Sequence, residues 1–184
     1  SIDTFNSEVA YEALLNGANW INDVTGGRRD INILDVVSKF NCPFVITHSR
    51  GNSQNMNQLS NYQNVLSDVK CSLDNLIKNA LEKNISERNI IVDPGIGFSK
   101  DIIHNLEILR NLDVFKKWNL PILIGASRKR FIGEILNEKN PKERDIGTLA
   151  ISCLCSQFNI DIVRVHNVEL NYQILKVADR IYRK

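Results

Sequence analysis

The sequence predicts an α/β fold built on a parallel sheet, and two observations support this prediction. Short apolar runs recur along the 184 residues, and each run ends in polar or charged residues. Patterns typical of helices separate these runs. The design occurs six times, at residues 2–3, 20–23, 43–48, 90–93, 121–129 and 162–167. Because ligands bind at the carboxyl ends of the strands in such folds, the polar residues that end each run are candidates for a functional site.

The stretch 90–100 carries the clearest signal in the chain. The branched apolar residues 90–92 predict a fully buried strand, and Asp93 follows at its end. The Pro-Gly pair after Asp93 predicts a sharp turn, and Gly97 leaves room for a close backbone approach. A carboxylate in this place is desolvated and needs a partner. A lone turn of this kind is best explained as a backbone cap, but the recurrence of polar residues at other strand ends favours a binding role for Asp93.

The segments between the runs carry apolar residues at spacings of three and four, which is typical of helices that pack on a sheet. The longest helix is predicted to start at Ser60, and a later helix, which carries His104 on its surface, is predicted to break near Asn111. A further helix is predicted to start at Glu143. The polar stretch 51–60 is rich in Asn and Gln, and we expect a loop long enough to cover a site.

The composition limits the classes of function. Hydrophobic residues make up 43% of the chain and charged residues 24%, as in globular proteins. The net charge of +2 favours no anionic partner, and no run of like charge is long enough for a nucleic-acid tail. No apolar stretch is long enough to span a membrane, and no signal-peptide pattern opens the sequence. We therefore expect small-molecule partners, without nucleic acid or membrane.

The four cysteines show neither the spacing of zinc ligands nor the pattern of a disulfide framework. Reduced, buried thiols are typical of a reducing compartment. We therefore expect a cytoplasmic protein.

The polar residues at the strand ends form three groups. The groups are Asp3, Asn22 and Asp93; Arg128, Lys129 and Arg130; and Arg164 with His166. The members of the last pair lie two positions apart and so share one face of a strand. Carboxylates bind a planar N–H edge strongly, whereas arginine, histidine and a helix N-terminus suit a phosphate. The sequence therefore predicts a ligand with amidine-like donors at one end and anionic groups at the other.

Six motifs follow one another along the chain: Ser-Ile-Asp-Thr at 1–4, Ile-Asn-Asp-Val at 21–24, His-Ser-Arg-Gly at 48–51, Val-Asp-Pro-Gly-Ile-Gly-Phe-Ser-Lys at 92–100, Gly-Ala-Ser-Arg-Lys at 125–129 and Arg-Val-His at 164–166. In their order and spacing they resemble the motifs of the dihydropteroate synthases. The Asp-Pro-Gly-x-Gly-Phe and Ser-Arg-Lys motifs are specific together, although neither is specific alone. The chain therefore resembles this family over its whole length.

The resemblance implies a TIM-type (β/α)8 barrel that condenses 6-hydroxymethyl-7,8-dihydropterin diphosphate with 4-aminobenzoate, with magnesium assisting the diphosphate. It also implies that residues 1–184 form a pterin-binding barrel domain holding strands three to eight. The first strand of the family carries an Asn that helps to bind magnesium, and we expect both it and the second strand to be missing. We therefore expect no metal ligand in this chain, an incomplete N-terminus and no activity from these residues alone.

The resemblance also implies roles for individual residues. The pterin pocket corresponds to Asp3, Asn22, Asp93 and Lys129, with Phe98 and Gly125 lining it. Arg164 is expected to stack over the pterin and, with His166, to reach the diphosphate, whereas Lys129 and Arg130 lie towards the aminobenzoate, where sulfonamides compete. We expect Asp93, Lys129 and Arg164 to carry the catalysis. Anionic Asp3 and Asp93 would favour positive charge on the pterin methylene, while Arg164, His166 and magnesium would favour the leaving anion.

Some residues depart from the family pattern or keep two interpretations. Thr47 and Ser49 flank His48 where many members have Met, and Arg130 stands where Ser is common. We interpret His48 as structural. Arg128 is either a ligand contact or an ion-pair partner, and Lys100 and Asp23 have no chosen role.

Two alternative functions follow from the same residues. One is a pterin-binding methyltransferase domain that works with a corrinoid protein, although that chemistry has no diphosphate for Arg164 and His166 to hold. The other is a non-catalytic fragment or scaffold. A homodimer, fusion to other folate-pathway domains and a mitochondrial location are all compatible with the resemblance.

Overall fold

The computed structural model describes residues 1–52 and 54–183, apart from the side chain of Asn57. The strands are β1 (Ile2–Asp3), β2 (Ile21–Asp23), β3 (Phe44–Thr47), β4 (Ile90–Asp93), β5 (Leu123–Ile124) and β6 (Ile162–Val163). The helices are α1 (Ser7–Leu15), α2 (Asn32–Phe40), α3 (Val65–Glu82), α4 (Ile102–Arg110), α5 (Arg130–Leu136), α6 (Asp145–Gln157) and α7 (Val168–Tyr182). Short 3-10 segments cover Met56–Leu59, Glu87–Asn89, Leu112–Trp118 and Pro141–Arg144.

All the strands run parallel, and each lies beside its predecessor in the sequence. Strands β1 to β4 form one continuous sheet, and β5 pairs with β6. A bridge between Val92 and Ile122 joins the two parts. Helices connect the strands, so the molecule is a series of βα units arranged along an arc, as the alternation of patterns in the sequence predicts.

The two faces of the sheet bury different residues. The outer face, with Phe44, Ile46, Ile90 and Val92, packs against the helices in the main hydrophobic core. The inner face holds a separate, smaller cluster of Val45, Ile91 and Leu123, packed with Trp20 and Ile162. Side chains alternate between the faces along each strand. The inner face therefore ends, at the carboxyl edge of the sheet, in polar residues and a glycine: Asp3, Asn22, Thr47, Asp93, Gly125 and Arg164.

The longest helix begins later than the sequence pattern predicts. The α3 helix starts at Val65, not at Ser60, because the Asn64 side chain caps it by accepting a hydrogen bond from the Ser67 backbone N–H. The stretch 51–60, predicted to be a loop, contains the 3-10 segment Met56–Leu59, and Ser53 within it lies outside the described residues.

The helix after β4 breaks where the sequence predicts. The α4 helix ends at Arg110, and the chain continues beyond Asn111 as the 3-10 segment Leu112–Trp118. The prediction that His104 is a surface residue is wrong, because its side chain is 17% exposed and its ring packs edge-on against Tyr62, with the ring centres 5.0 Å apart. In the part of the chain that the structure describes, no helix is both long enough and apolar enough to cross a membrane.

Candidate active site

A cavity of about 220 Å³ opens at the carboxyl ends of the strands. Its lining comes from the ends of β2, β3 and β4 and from the segments that follow β2, β4, β5 and β6. It consists of Asn22, Val24, Thr47, Asp93, Phe98, Gly125, Ser127, Lys129, Arg164, Val165 and His166. The structure thus brings together most of the residues that the sequence singled out, although they span more than 140 positions of the chain. Negatively and positively charged side chains thus meet in one small recess.

Asp93 lies deep in this cavity, with 6% of its surface exposed. Its Oδ1 accepts a hydrogen bond of 2.7 Å from the backbone N–H of Gly95, which is the turn cap expected of an Asp-Pro-Gly sequence. Burial raises the pKa of Asp93, while the charge of Lys129 and the Gly95 N–H oppose that rise. Because a buried carboxylate is costly without partners, this site favours a ligand that donates hydrogen bonds.

Lys129 faces Asp93 across the cavity. Its ammonium donates a hydrogen bond to the Ile96 carbonyl and stands 4.2 Å above the centre of the Phe98 ring. Burial lowers the pKa of Lys129 to about 8, although the negative charge of Asp93 works against that shift. The lysine stem lies on Gly97, where an added Cβ would stand only 2.5 Å from Lys129 Cδ. The absence of a side chain at Gly97 therefore makes room for the lysine.

Asn22 and Arg164 line the cavity, and both bond to Asp3, which is not among its lining residues. The Asn22 amide donates a hydrogen bond of 2.6 Å to Asp3 Oδ1, and the Arg164 guanidinium donates to Asp3 Oδ2. Gly125 separates Arg164 from Asp93, and an added Cβ there would lie 3.9 Å from Asp93 Oδ2 and 4.0 Å from Arg164 Cβ. The lack of a side chain at Gly125 keeps the floor of the cavity open.

Two polar atoms that line the cavity are buried without a hydrogen-bond partner among the described residues. They are Oδ1 of Asn22 and Oγ1 of Thr47. A buried polar atom costs free energy when it is unpaired, so each atom favours a ligand that supplies the missing partner. Thr47 lines the cavity, and the sequence did not single it out as a candidate for ligand binding. Its position, two residues after the inward-facing Val45, is the signal that could have identified it.

The basic residues His166 and Arg128, after β6 and β5, have different partners. His166 lines the cavity, and its Nδ1 is 2.8 Å from the Ser127 hydroxyl, which also accepts from the His166 backbone N–H. Arg128 instead forms two hydrogen bonds of 2.7 Å with the Asp145 carboxylate. Of its two interpretations, the structure therefore supports the ion-pair partner. Ser127 positions His166, which is a role that the sequence alone did not indicate.

Arg130 does not line the main cavity. It borders a second cavity of about 300 Å³, together with Met56, Gly97, Phe98, Lys129 and other residues. Its Nε is 3.1 Å from Glu134 on the next turn of α5, and about two thirds of its side chain is exposed. The two cavities share Phe98 and Lys129. The structure thus offers adjacent recesses for two ligands, with the Phe98 ring at their junction.

A parallel α/β sheet with a recess of carboxylate, amide and lysine groups at its strand ends defines a class of small-molecule-binding barrel proteins. The sequence pattern of the family described as "Pterin binding enzyme" matches residues 1–166. The chain belongs to this family.

Named relatives and solved structures agree with this membership. The dihydropteroate synthase of Synechocystis is 41% identical over 183 aligned residues, a match with a coverage of 100% of this chain and 63% of that protein. A mitochondrial folate synthesis bifunctional protein of Arabidopsis thaliana is 38% identical over 195 aligned residues, covering all of this chain and 35% of that protein. The crystal structure of dihydropteroate synthase from Clostridium difficile in the presence of pteroic acid superposes with a TM-score of 0.92, at 38% sequence identity. The match covers all of this chain and 67% of the chain in that crystal structure.

These comparisons confirm the TIM-type α/β barrel as the fold class. In the described part of the chain, the six strands form an open arc of that barrel. The chain spans somewhat less than two thirds of the length of the Synechocystis relative.

Proposed function

We propose that this chain supplies the pterin-binding part of a dihydropteroate synthase. The proposed reaction joins 6-hydroxymethyl-7,8-dihydropterin diphosphate to 4-aminobenzoate and releases diphosphate. The observation that carries the proposal is the meeting of Asp93, Asn22 and Lys129 in one buried recess whose rim holds Arg164 and His166. Such a recess matches a ligand with N–H donors at one end and an anion at the other.

The pterin ring is proposed to enter the main cavity with its N–H edge towards Asp93. The Asp93 carboxylate accepts from that edge, and the buried Asn22 Oδ1 and Thr47 Oγ1 gain the partners that the protein does not give them. The Lys129 ammonium, 4.2 Å above the Phe98 ring centre, donates to acceptors on the other side of the ring. Each buried polar group of the recess is then paired with the ligand.

The diphosphate is proposed to lie at the rim, where Arg164 and His166 reach it. As the carbon–oxygen bond breaks, positive charge grows on the pterin methylene and negative charge grows on the leaving group. The carboxylates of Asp3 and Asp93 stabilise the first charge, and Arg164 and His166 stabilise the second. The amine of 4-aminobenzoate attacks from the second cavity, so Phe98 and Lys129, which border both recesses, orient the two substrates.

Magnesium belongs to the proposal as a companion of the diphosphate. No group of three or more His, Cys, Asp or Glu side chains converges on a metal position in residues 1–52 and 54–183. The described residues alone therefore do not fit a protein-held magnesium site. Magnesium commonly enters proteins bound to substrate phosphates, with few protein ligands.

Assembly and location are also proposals. A fusion with other folate-synthesis domains is supported by the Arabidopsis relative, whose name describes a bifunctional, mitochondrial protein. We propose a cytoplasmic or mitochondrial protein that forms homodimers. Size-exclusion chromatography with light scattering would measure the assembly.

The decisive experiment follows product formation from the pterin diphosphate and 4-aminobenzoate, with and without magnesium. It uses a protein that contains this chain and matches its relatives in length. Formation of dihydropteroate and diphosphate in equal amounts is the expected result. The matched variants are Lys129→Met, which removes the ammonium from both cavities, and Lys78→Met, which removes a lysine exposed on α3. Loss of activity is expected only in the first.

Two outcomes would overturn the proposal. One is a folded parent protein that binds neither the pterin nor its diphosphate ester in calorimetry. The other is transfer of a methyl group from a pterin by the same protein without any turnover of the diphosphate ester. A magnesium-independent reaction would remove only the metal from the proposal.

A further inference from the structure

Lys100 lies at the end of the loop that follows β4 and borders the second cavity. Lys100 is 5% exposed. Its Nζ has three acceptors: the Gly95 carbonyl at 2.9 Å, the Phe98 carbonyl at 3.0 Å and Nδ1 of His48 at 2.8 Å. An ammonium group carries three N–H donors, so these three acceptors engage all of them. The amino end of Lys100 is therefore committed to the protein. Burial lowers the pKa of Lys100 well below its ordinary value, and the Asp93 carboxylate opposes that shift.

His48 is the partner that brings this ammonium to the end of β3. To accept a hydrogen bond at Nδ1, the imidazole must be neutral and carry its proton on Nε2. Burial and the nearby positive charge of Lys100 lower the pKa of His48 to about 2, which agrees with a neutral ring. His48 thus acts as a fixed acceptor at neutral pH.

The loop 94–99 is tied to the end of β3 by further contacts. The Ser99 hydroxyl donates to the Arg50 carbonyl at 2.5 Å and accepts from the Arg50 backbone N–H at 3.0 Å. An added Cβ at Gly95 would stand 1.8 Å from the His48 carbonyl oxygen, so the two backbones are in close contact. Lys100 therefore forms hydrogen bonds between two segments whose backbones are already in contact.

The loop carries groups that the proposed reaction uses at both ends. Asp93 precedes it and receives the Gly95 N–H, and Phe98 lies near its end. The Phe98 ring borders the main cavity, the second cavity and a third recess of about 680 Å³ that also contacts Arg28 and Met56. A shift of the Phe98 backbone would move this ring relative to both substrates. The Lys100 hydrogen bond to the Phe98 carbonyl acts directly on that position.

We propose that Lys100, held by His48, is a positioning residue that fixes the Gly95 and Phe98 carbonyls and so sets the Phe98 ring between the two substrate cavities. This inference rests on the proposed function for its kinetic test, but the pairing itself is tested without substrate. Loss of the ammonium leaves the Phe98 carbonyl and the His48 imidazole nitrogen without this donor, whereas the Gly95 carbonyl keeps the Phe98 backbone N–H at 3.1 Å. The loop then rearranges, and the aminobenzoate recess loses one wall.

The kinetic experiment compares four variants with the parent protein. Lys100→Met keeps the length of the side chain and removes the donors, and His48→Leu removes the acceptor. His48→Asn retains an acceptor near the position of Nδ1, and Lys78→Met is the surface control. Lys100→Met and His48→Leu are expected to raise KM for 4-aminobenzoate by about tenfold or more, with a smaller change in kcat. His48→Asn is expected to keep KM within about threefold of the parent value, because the Asn side-chain oxygen still accepts the Lys100 hydrogen bond that His48→Leu loses.

A purely structural role predicts a different pattern. Then kcat would fall in proportion to the loss of folded protein while KM stayed nearly unchanged, and His48→Asn would resemble His48→Leu. That pattern overturns the inference, as does a Lys100→Met protein whose KM lies within twofold of the parent.

A measurement without substrate separates this inference from the proposed function. Imidazole 15N spectra of the parent are expected to show His48 neutral, with its proton on Nε2, from pH 5 to 8. Amide exchange at Gly97 and Phe98 is expected to speed up in Lys100→Met and to stay unchanged in Lys78→Met. A protonated His48, or a proton on Nδ1, overturns the pairing even if the protein is an active synthase. A parent that does not bind pterin overturns the proposed function while these spectra still decide the pairing.

Discussion

Arg164 at the end of β6 donates a hydrogen bond to Asp3 at the end of β1, although the two residues lie 161 positions apart in the chain. The same carboxylate accepts from Asn22 through its other oxygen. About half of each side chain of the Arg164–Asp3 pair is exposed, so solvent screens the attraction between them. The guanidinium can therefore leave the carboxylate for a more strongly charged ligand. A diphosphate is such a ligand.

The first prediction concerns this exchange. Arg164→Ala is expected to weaken binding of the pterin diphosphate by about tenfold or more and binding of the free hydroxymethyl pterin by much less, because arginine contributes mainly to the anion. Asp3→Asn is the matched variant, since it frees Arg164 without removing it, and the diphosphate ester should bind to it at least as well relative to the free pterin. Calorimetric dissociation constants for both ligands provide the test. If Arg164→Ala weakens the binding of both ligands equally, Arg164 has a stacking or structural role only.

The second prediction concerns Asp93. Asp93→Asn exchanges one carboxylate oxygen for an N–H donor that faces the donors of the pterin. The loss of a charged hydrogen bond and the unsatisfied group should together cost roughly 2–4 kcal/mol of binding free energy. Because burial raises the pKa of Asp93, removing its charge should leave the free energy of unfolding of the apo protein nearly unchanged or slightly higher. Calorimetry with the pterin measures the change in affinity, and unfolding by denaturant measures the change in stability. An unchanged pterin affinity would show that Asp93 does not bind the pterin.

The fold could be predicted from the sequence because its signals are local. The apolar runs and their polar ends determine which residues face the inner side of a parallel sheet, so Asp3, Asn22 and Asp93 could be placed at one edge without coordinates. The start of α3 could not be placed as well, because the apolar pattern reaches Tyr62 whereas the capping hydrogen bond of Asn64 decides the boundary.

The contacts within the site were harder to predict, because they depend on distances across the barrel. From the sequence, Arg128 could be either a ligand contact or an ion-pair partner. The structure decides for the ion pair, because it places Asp145 next to Arg128. Lys100 had no chosen role, since its acceptors Gly95 and Phe98 are close in the chain but His48 follows a different strand, β3. The unpaired Thr47 hydroxyl also required the structure, because a threonine at a strand end is usually paired with the backbone.

The third prediction is a pH dependence that arises from Lys129. Its pKa of about 8 in the folded protein lies below the ordinary value of 10.5, because burial disfavours the charged form. A bound pterin that accepts a hydrogen bond from the ammonium should raise that pKa again. Ligand binding then takes up a proton above pH 8, so the affinity should fall as the pH rises from about 8 to 10.

Lys129→Met separates this effect from the titration of the ligand itself. The variant should bind the pterin more weakly at pH 7, and the slope between pH 8 and 10 that belongs to Lys129 should vanish. Dissociation constants measured at several pH values for both proteins provide the comparison. If the parent and Lys129→Met show the same slope, Lys129 does not exchange a proton on binding.

The last prediction concerns Gly97, on which the stem of Lys129 lies. Gly97 has a φ of +79°, and an added Cβ would stand 2.5 Å from Lys129 Cδ. Gly17 provides a matched control, because its φ is +95° but an added Cβ there would meet no atom within 4 Å. Alanine at either position suffers the same kind of backbone strain, of order 1–2 kcal/mol, and both variants should lose a similar amount of stability. Only Gly97→Ala should also displace the Lys129 ammonium from the Ile96 carbonyl and weaken pterin binding, by about tenfold or more. Thermal unfolding and calorimetry on the two variants measure these effects separately, and a Gly97→Ala protein that binds the pterin as tightly as Gly17→Ala would show that the Lys129 stem adapts without loss.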